Sequence, residues 1–185
     1  RWLIGEDLVI GARRSMSFPT NFSDPDRRFS SFYQDPSDTT DNGGVHRNSG
    51  VNNKLCYLLT DGDTFNGQTV YALGIFQVVV LYYEAQANLL TSASGWAQLY
   101  DALQQAAVNL GWSIADRNNL YRACAAVEIT FDRALFVDGF SDCNVPTGLP
   151  SCFGPFGPYE TVTQGVNGAR PGDRLRVRGG NYFEV

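Results

Sequence analysis

The most informative stretch of this chain reads Asp41-Asn42-Gly43-Gly44-Val45-His46-Arg47-Asn48-Ser49-Gly50, and it contains the only histidine. Its two adjacent glycines allow the backbone to turn tightly in front of the imidazole. Because Asp41 precedes His46 by five residues, its carboxylate can fold back and accept the imidazole N–H, which fixes the tautomer. An imidazole held in this way can donate a hydrogen bond to a developing oxyanion. The residues alone leave a structural alternative open, in which Asp41 caps the following turn and His46 merely begins a helix.

The composition is that of a globular protein, because 43% of the 185 residues are hydrophobic and can form one core. The net charge is −5 and no run of Lys or Arg occurs, so we expect no nucleic-acid partner. The longest apolar stretch, residues 70–83, is interrupted by Gly74 and Gln77 and is too short to span a bilayer, so we expect no membrane segment. Since Arg1 follows no initiator Met and no signal sequence, we expect a mature product or a piece of a longer protein.

The four cysteines include no C-x-x-C pair, which disfavours a zinc knuckle. We expect two disulfides: Cys143–Cys152 would close a Pro/Gly loop, and Cys56–Cys124 would tie two helices together. Such bonds indicate a secreted, extracellular protein. The alternative is that Cys56 and Cys124 are buried thiols and only the loop bridge forms.

The hydrophobic pattern predicts a mainly α domain over residues 1–135, with a long N-terminal loop region followed by four helices. Residues 1–50 lack helical periodicity, and a loop of this length inside a compact domain is usually functional. The first helix is predicted from Val51 to the Asp61-Gly62 stop, and a central buried helix over residues 70–90. The third has Ser94 as its N-cap and ends at Gly111, and the last opens with a capping box of Ser113 and Asp116.

The composition changes after this domain. Residues 136–158 are rich in Gly and Pro and predict a linker stapled by Cys143–Cys152. Residues 159–185 contain a Pro171-Gly172-Asp173 turn and alternating Leu175 and Val177, which predict a short β-rich segment. This segment resembles the opening of a parallel β-helix, of which a single coil is present. An irregular tail is the alternative.

Several motifs resemble the thermolysin family of neutral zinc metallopeptidases. D-N-G-G-V-H-x-N-S-G over residues 41–50 is similar to the active-site segment of that family, and Trp2-Leu3-Ile4-Gly5-Glu6-Asp7 is similar to its W-x-I-G-E-D element. Arg14-Ser15-Met16-Ser17 and Asp24-Pro25-Asp26 resemble its R-S-M-S and G-D-P-D elements. The resemblance covers about residues 1–129, is strongest up to residue 60, and implies the fold of the family's C-terminal α-helical domain.

The resemblance also implies roles for individual residues. His46 would stabilise the oxyanion of the tetrahedral intermediate in peptide hydrolysis, and Asp41 would orient His46. Arg14 would bind a substrate backbone carbonyl, although a buried salt bridge is its structural alternative. Glu6 matches a calcium ligand of the family, for which a solvated surface carboxylate is the alternative.

No H-E-x-x-H motif occurs in the chain, so the zinc ligands and the general-base glutamate would lie outside it. The resemblance therefore implies a secreted endopeptidase in which an upstream zinc-bearing half completes the site, with a peptide or protein as substrate. This chain alone would be inactive. The rival hypothesis is a non-catalytic structural or interaction module of an extracellular surface or filament protein, derived from the peptidase fold.

Overall fold

The computed structural model describes residues 2–130 together with two short strands, at 134–137 and 174–177. The chain divides into two compact units, Arg1–Thr130 and Phe131–Val185. None of the helices in the described part has the length and apolar character that crossing a bilayer requires.

The N-terminal loop region is anchored by a short antiparallel pair of strands, β1 (Leu3–Ile4) and β2 (Arg14–Ser15). Ile4 pairs with Arg14, so the chain doubles back on itself after the first turn. A 3-10 turn over Pro19–Phe22 follows. Residues 2–40 contain no long element, but residues 41–50 of the predicted loop belong to the first helix.

Helix α1 spans Asp41–Asp61, but its regular part begins only after three residues with left-handed backbone, Asn42, Gly43 and Gly44. A Cβ on Gly43 would lie 2.7 Å from the Pro36 carbonyl oxygen, so this close approach requires glycine. The predicted start at Val51 was wrong by about two turns of regular helix, because the polar first turns of α1 show no apolar periodicity.

A β-hairpin follows α1. Strands β3 (Asp63–Phe65) and β4 (Gln68–Val70) pair antiparallel around Asn66-Gly67. Both turn residues have positive φ, 47° and 76°, which is typical of the two-residue turn that Asn-Gly favours. The hairpin was not predicted, although this dipeptide is its signal.

Helix α2 spans Ile75–Glu84 and continues as a π-helical turn over Ala85–Leu89. The predicted central helix over residues 70–90 therefore begins five residues later than expected, since the hairpin occupies its start. The prediction that this helix is buried on nearly all sides was also wrong, because Phe76 is 87% exposed and Tyr83 is 72% exposed. Only Val78 and Leu81 of α2 are buried, because the described elements pack against one face of the helix.

Helices α3 (Trp96–Asn109) and α4 (Ile114–Ala126) complete the first unit. Gly95, not Ser94, is the N-cap of α3, and its N–H donates to Gln98 Oε1 at 3.0 Å. The predicted N-cap of α4 is confirmed, because Ser113 Oγ accepts from the Asp116 N–H at 3.1 Å. Local capping chemistry thus fixes where both helices begin.

The four helices of the first unit surround one apolar core, so the mainly α fold is confirmed. Full burial of a large apolar side chain contributes about 1.5–3 kcal/mol to the stability of the folded state. The largest fully buried side chains are Val51, Leu55, Leu58, Leu59, Val78, Leu81, Tyr100, Leu103, Leu120, Val127 and Ile129.

The predicted Cys56–Cys124 disulfide is wrong, because both residues are thiols in the structure. Burial raises the pKa of the Cys56 thiol, and the thiolate is the species that forms disulfides. Burial also holds the pKa of the Tyr82 hydroxyl, which lies near both sulfurs, well above its ordinary value. This part of the core is apolar and favours protonated groups. The predicted Cys143–Cys152 bond lies outside the described residues.

The second unit contains two described strands, β5 (Ala134–Val137) and β6 (Arg174–Val177), which pair in parallel. Leu175 and Val177 lie in β6, and the short β-rich segment as a whole stays a prediction. The remainder of the predicted linker and of the β-rich segment, including the β-helix resemblance, lies outside the described residues. The division into three domains, at residues 1–135, 136–158 and 159–185, stays a prediction.

Candidate active site

Asp41 and His46 form the centre of the candidate site. Asp41 Oδ1 contacts His46 Nδ1, while Asp41 Oδ2 accepts the backbone N–H groups of His46 and Arg47, each at 3.1 Å. One carboxylate therefore binds both the first backbone N–H groups of α1 and the imidazole, and the catalytic role of the pair stays a prediction. The His46 side chain is 71% exposed, so the ring is held on one side by Asp41 and open to solvent on the other.

The electrostatics of this pair favour an ionised carboxylate. The hydrogen bond from the His46 side chain, followed by that from the Arg47 N–H, holds the pKa of Asp41 below its usual value. A helix N-terminus also stabilises a negative charge. Asp41 therefore remains an acceptor for the imidazole at neutral pH.

Arg14 belongs to β2, and its side chain contacts the first turn of α1 at His46 and Ser49. Its Nη1 donates to the His46 carbonyl and to Ser49 Oγ, both at 2.6 Å, and Ser49 Oγ donates to the same carbonyl at 2.6 Å. Asp24 is buried nearby: burial raises its pKa, while the charges of Arg14 and Arg47 act in the opposite direction. The structure thus brings together three residues that the sequence singled out, Asp41, His46 and Arg14.

Lys54 anchors the Arg14 segment to α1, a role that the sequence analysis missed. Its side chain is almost fully buried, and Nζ donates to the Ser17 carbonyl at 2.9 Å. The ammonium lies 4.5 Å from the centre of the Phe65 ring and 4.7 Å from that of Tyr57, within the range of cation–π attraction. Burial lowers the pKa of Lys54, and the charge of Asp63 opposes this effect.

A reciprocal pair of hydrogen bonds fixes the loop that leads to Asp41. The Gln34 N–H donates to Asn48 Oδ1 at 2.9 Å, and Asn48 Nδ2 donates to the Gln34 carbonyl at 2.8 Å. Gln34 Nε2 also donates to the Thr40 carbonyl at 2.8 Å. Asn48 therefore has a structural role, because it ties the loop before Asp41 to α1.

The described residues do not fit a metal centre by themselves. They contain no group of three His, Cys, Asp or Glu side chains close enough to hold an ion, and four ligands are usual for zinc. Glu6 lies in an exposed turn, and a calcium site there stays a prediction.

The helical fold and the match to a family model identify the class of protein as a metallopeptidase. The chain belongs to the thermolysin metallopeptidase family, because the model of that family's alpha-helical domain matches residues 1–129.

Three relatives illustrate this similarity. A zinc metalloproteinase of Renibacterium salmoninarum is 44% identical over 57% of this chain and 20% of its own length. Bacillolysin of Bacillus caldolyticus and thermolysin of Alicyclobacillus acidocaldarius are each 40% identical over 69% of this chain and 24% of their own length. The chain thus spans about a fifth to a quarter of the length of the curated relatives it matches.

Proposed function

We propose that this chain is the C-terminal part of a secreted zinc metalloendopeptidase, to which it contributes an oxyanion-stabilising His46 and a substrate-binding Arg14. One observation carries the proposal. Asp41 contacts Nδ1 of His46 while the His46 side chain stays exposed, and Arg14 of β2 donates to the His46 backbone carbonyl.

His46 would act through its second ring nitrogen. Because Nδ1 is held by Asp41, Nε2 would be the nitrogen that donates to the oxyanion that develops on the attacked carbonyl. A donor that is already oriented needs no reorganisation in the transition state, and such a contact contributes about 3 kcal/mol to its stabilisation. Asp41 supplies this orientation.

Arg14 would bind a carbonyl of the peptide substrate. A guanidinium has five N–H donors, and both contacts with α1 use Nη1. Nη2 and Nε can therefore donate to a substrate oxygen while Nη1 fixes the side chain. The positive charge also attracts the carbonyl oxygen as it gains electron density.

Zinc, bound by residues outside this chain, would activate water and polarise the carbonyl. The upstream half of the same protein would carry these ligands and be the obligate partner, and a peptide or protein would be the substrate. Extracellular location and a calcium ligand at Glu6 belong to the same proposal and rest on the family resemblance.

The proposal is tested by producing the protein with all residues encoded upstream of Arg1, next to the 185-residue chain. We expect an upstream H-E-x-x-H, chelator-sensitive cleavage of casein by the longer protein, and no cleavage by the shorter one. A longer protein without that motif and without bound zinc would contradict the proposal and favour the rival scaffold hypothesis.

A further inference from the structure

An apolar groove lies on α1 beside the candidate active site. It has a volume of about 550 Å³ and lies between α1, the end of the π-helical turn and the start of α3. None of the described residues that line it is charged. Its apolar and aromatic walls are formed by Tyr33, Val45, Leu90, Trp96 and Leu99.

Hydrogen bonds hold the walls of this groove in place. Trp96 Nε1 donates to the Tyr33 hydroxyl at 2.7 Å, which joins α3 to the loop that leads to α1. In the segment before α3, the Thr91 N–H donates to Ser94 Oγ at 2.9 Å. A preformed groove loses little conformational entropy when it is filled.

The groove is continuous with the candidate active site. Val45, which directly precedes His46, lines it, and so does Ser49. Ser49 Oγ donates to the His46 carbonyl and accepts from Arg14 Nη1, both at 2.6 Å. Because an extended peptide advances about 3.4 Å per residue, a substrate bound at His46 can place a side chain in the groove a few residues away.

A second pocket on the other side of Asp41 has a different character. Asp35, Asp38 and Arg47 line it together with Asp41. Its carboxylates already accept hydrogen bonds from Ser37 and Thr40. The groove beside Trp96 is therefore the neighbouring surface that suits an uncharged apolar group.

We infer that the groove is an exosite that binds an apolar or aromatic side chain of the polypeptide substrate, several residues from the scissile bond. The inference rests on the proposed function and adds a specificity determinant to it. The side chain would stack against Trp96 and pack between Leu90 and Leu99, and the exosite would favour extended substrates over short ones.

Binding is tested on the 185-residue chain with N-acetyl-phenylalanine amide as the probe, followed by NMR of the indole N–H signals. Trp96→Phe assigns the Trp96 signal, and Trp2 and Trp112 serve as internal references. We expect a saturable shift of the Trp96 signal alone, with binding weakened about 10-fold by Leu90→Gln. A Trp96 signal that does not move, or that moves equally in Leu90→Gln, would overturn the inference.

Cleavage is tested on the full-length protein with two peptides that share one scissile sequence, one short and one extended to carry a distal Phe. We expect Trp96→Ala and Leu90→Gln to lower kcat/KM about 10-fold for the extended peptide and to leave the short peptide unchanged. Phe76→Ala, on the exposed face of α2, is the control for loss of an apolar side chain and should change neither.

The outcomes separate the inference from the proposed function. Equal losses for both peptides would overturn the exosite and leave the peptidase proposal intact. If the Trp96 signal of the full-length protein does not shift with the probe, the upstream half covers the groove. That result also overturns the inference. If the full-length protein cleaves neither peptide, the proposed function fails and the exosite fails with it, whatever the 185-residue chain binds.

Discussion

At the scale of single residues, Asp41 performs two tasks with one carboxylate. Oδ2 accepts two backbone N–H groups at the start of α1, and Oδ1 binds the His46 ring. The cap fixes the carboxylate on the helix, and the carboxylate in turn fixes the imidazole. The orientation of His46 thus follows from the way in which α1 begins.

Replacement of Asp41 by Asn should separate these two tasks. The amide oxygen can still accept backbone N–H groups, but the charge that holds the imidazole is lost. We expect kcat of the full-length protein to fall at least about 10- to 100-fold, the loss typical of carboxylates that orient metal-bound histidines, with little change in melting temperature. Unchanged kcat in Asp41→Asn would show that the carboxylate is only a helix cap.

Acidification should weaken the fold through three neighbouring carboxylates. Hydrogen bonds from Ser37, Thr40 and His46 lower the pKa values of Asp35, Asp38 and Asp41, respectively, below the ordinary 3.8. A lowered carboxyl pKa contributes stability that is complete above the unfolded pKa and is lost as the pH falls through the folded pKa. The free energy of unfolding of the 185-residue chain should therefore decrease below about pH 4.

The control for this prediction is Asp38→Asn, which cannot titrate. Chemical denaturation between about pH 5 and pH 2 should show a smaller acid-induced loss in Asp38→Asn than in the parent chain. The prediction fails if the two curves of unfolding free energy against pH run parallel. Asp24 should make the opposite contribution to the pH dependence of stability, because burial raises its pKa.

Sequence reasoning reached the Asp41–His46 contact because the partners are five residues apart, and a tight glycine turn limits where the carboxylate can go. It could not reach the contact of Arg14 with Ser49, whose partners are 35 residues apart and meet only through tertiary folding. The family resemblance placed Arg14 in the site, but the hydrogen bonds that hold it are visible only in the structure.

At the scale of elements, the position of α1 depends on close backbone contact with the loop before it. A Cβ on Gly50 would lie 2.4 Å from the Pro25 carbonyl oxygen. Alanine in a helix interior is normally about 1 kcal/mol more favourable than glycine, but this clash is with backbone. We expect Gly50→Ala to lower the free energy of unfolding by about 2 kcal/mol.

Gly95→Ala is the matched control, because the nearest atom to a new Cβ there is Gln98 Oε1 at 3.5 Å. Its cost should stay below about 1 kcal/mol, the usual effect of a poorer N-cap. Urea denaturation of both variants measures the difference. Equal costs at the two positions would contradict the close contact between α1 and Pro25.

Helix α3 contains a polar side chain that the core does not satisfy. Gln104 is 2% exposed, and both atoms of its amide lack a hydrogen-bond partner among the described residues. Gln104→Met keeps the volume and removes the desolvated amide, so the protein should become about 1–2 kcal/mol more stable.

Gln105→Met tests whether that gain depends on burial. Gln105 is exposed and its Nε2 donates to Asn109 at 2.8 Å, so this substitution should change stability by less than about 0.5 kcal/mol. Thermal melting of both variants provides the comparison. A lower melting temperature for Gln104→Met would mean that the Gln104 amide has a partner in solution.

The helices were partly predictable for physical reasons. The Ser113 cap of α4 is a local interaction with Asp116, so this four-residue stretch suffices to identify it. The extent of α2 was not predictable, because Val79 and Val80 are apolar yet about half exposed, and periodicity does not show which face the remaining chain covers. The Asn66-Gly67 hairpin could have been identified, but the apolar run after it concealed the break.

At the scale of the whole molecule, the described domain is one part of the proposed peptidase. It holds Asp41, His46 and Arg14 in a fixed arrangement, yet its described residues provide no metal site, and it spans about a quarter of the length of relatives such as bacillolysin. The central claim is that the domain prepares hydrogen-bond donors for charge generated elsewhere.

The most direct measurement of that claim is steady-state cleavage of a peptide by full-length His46→Ala, together with its zinc content. We predict that kcat falls about 100- to 1,000-fold, the usual effect of removing an oxyanion-hole donor. The zinc content should be unchanged and KM should change little. A kcat equal to that of the parent protein, or a loss that follows a loss of zinc, would contradict the account.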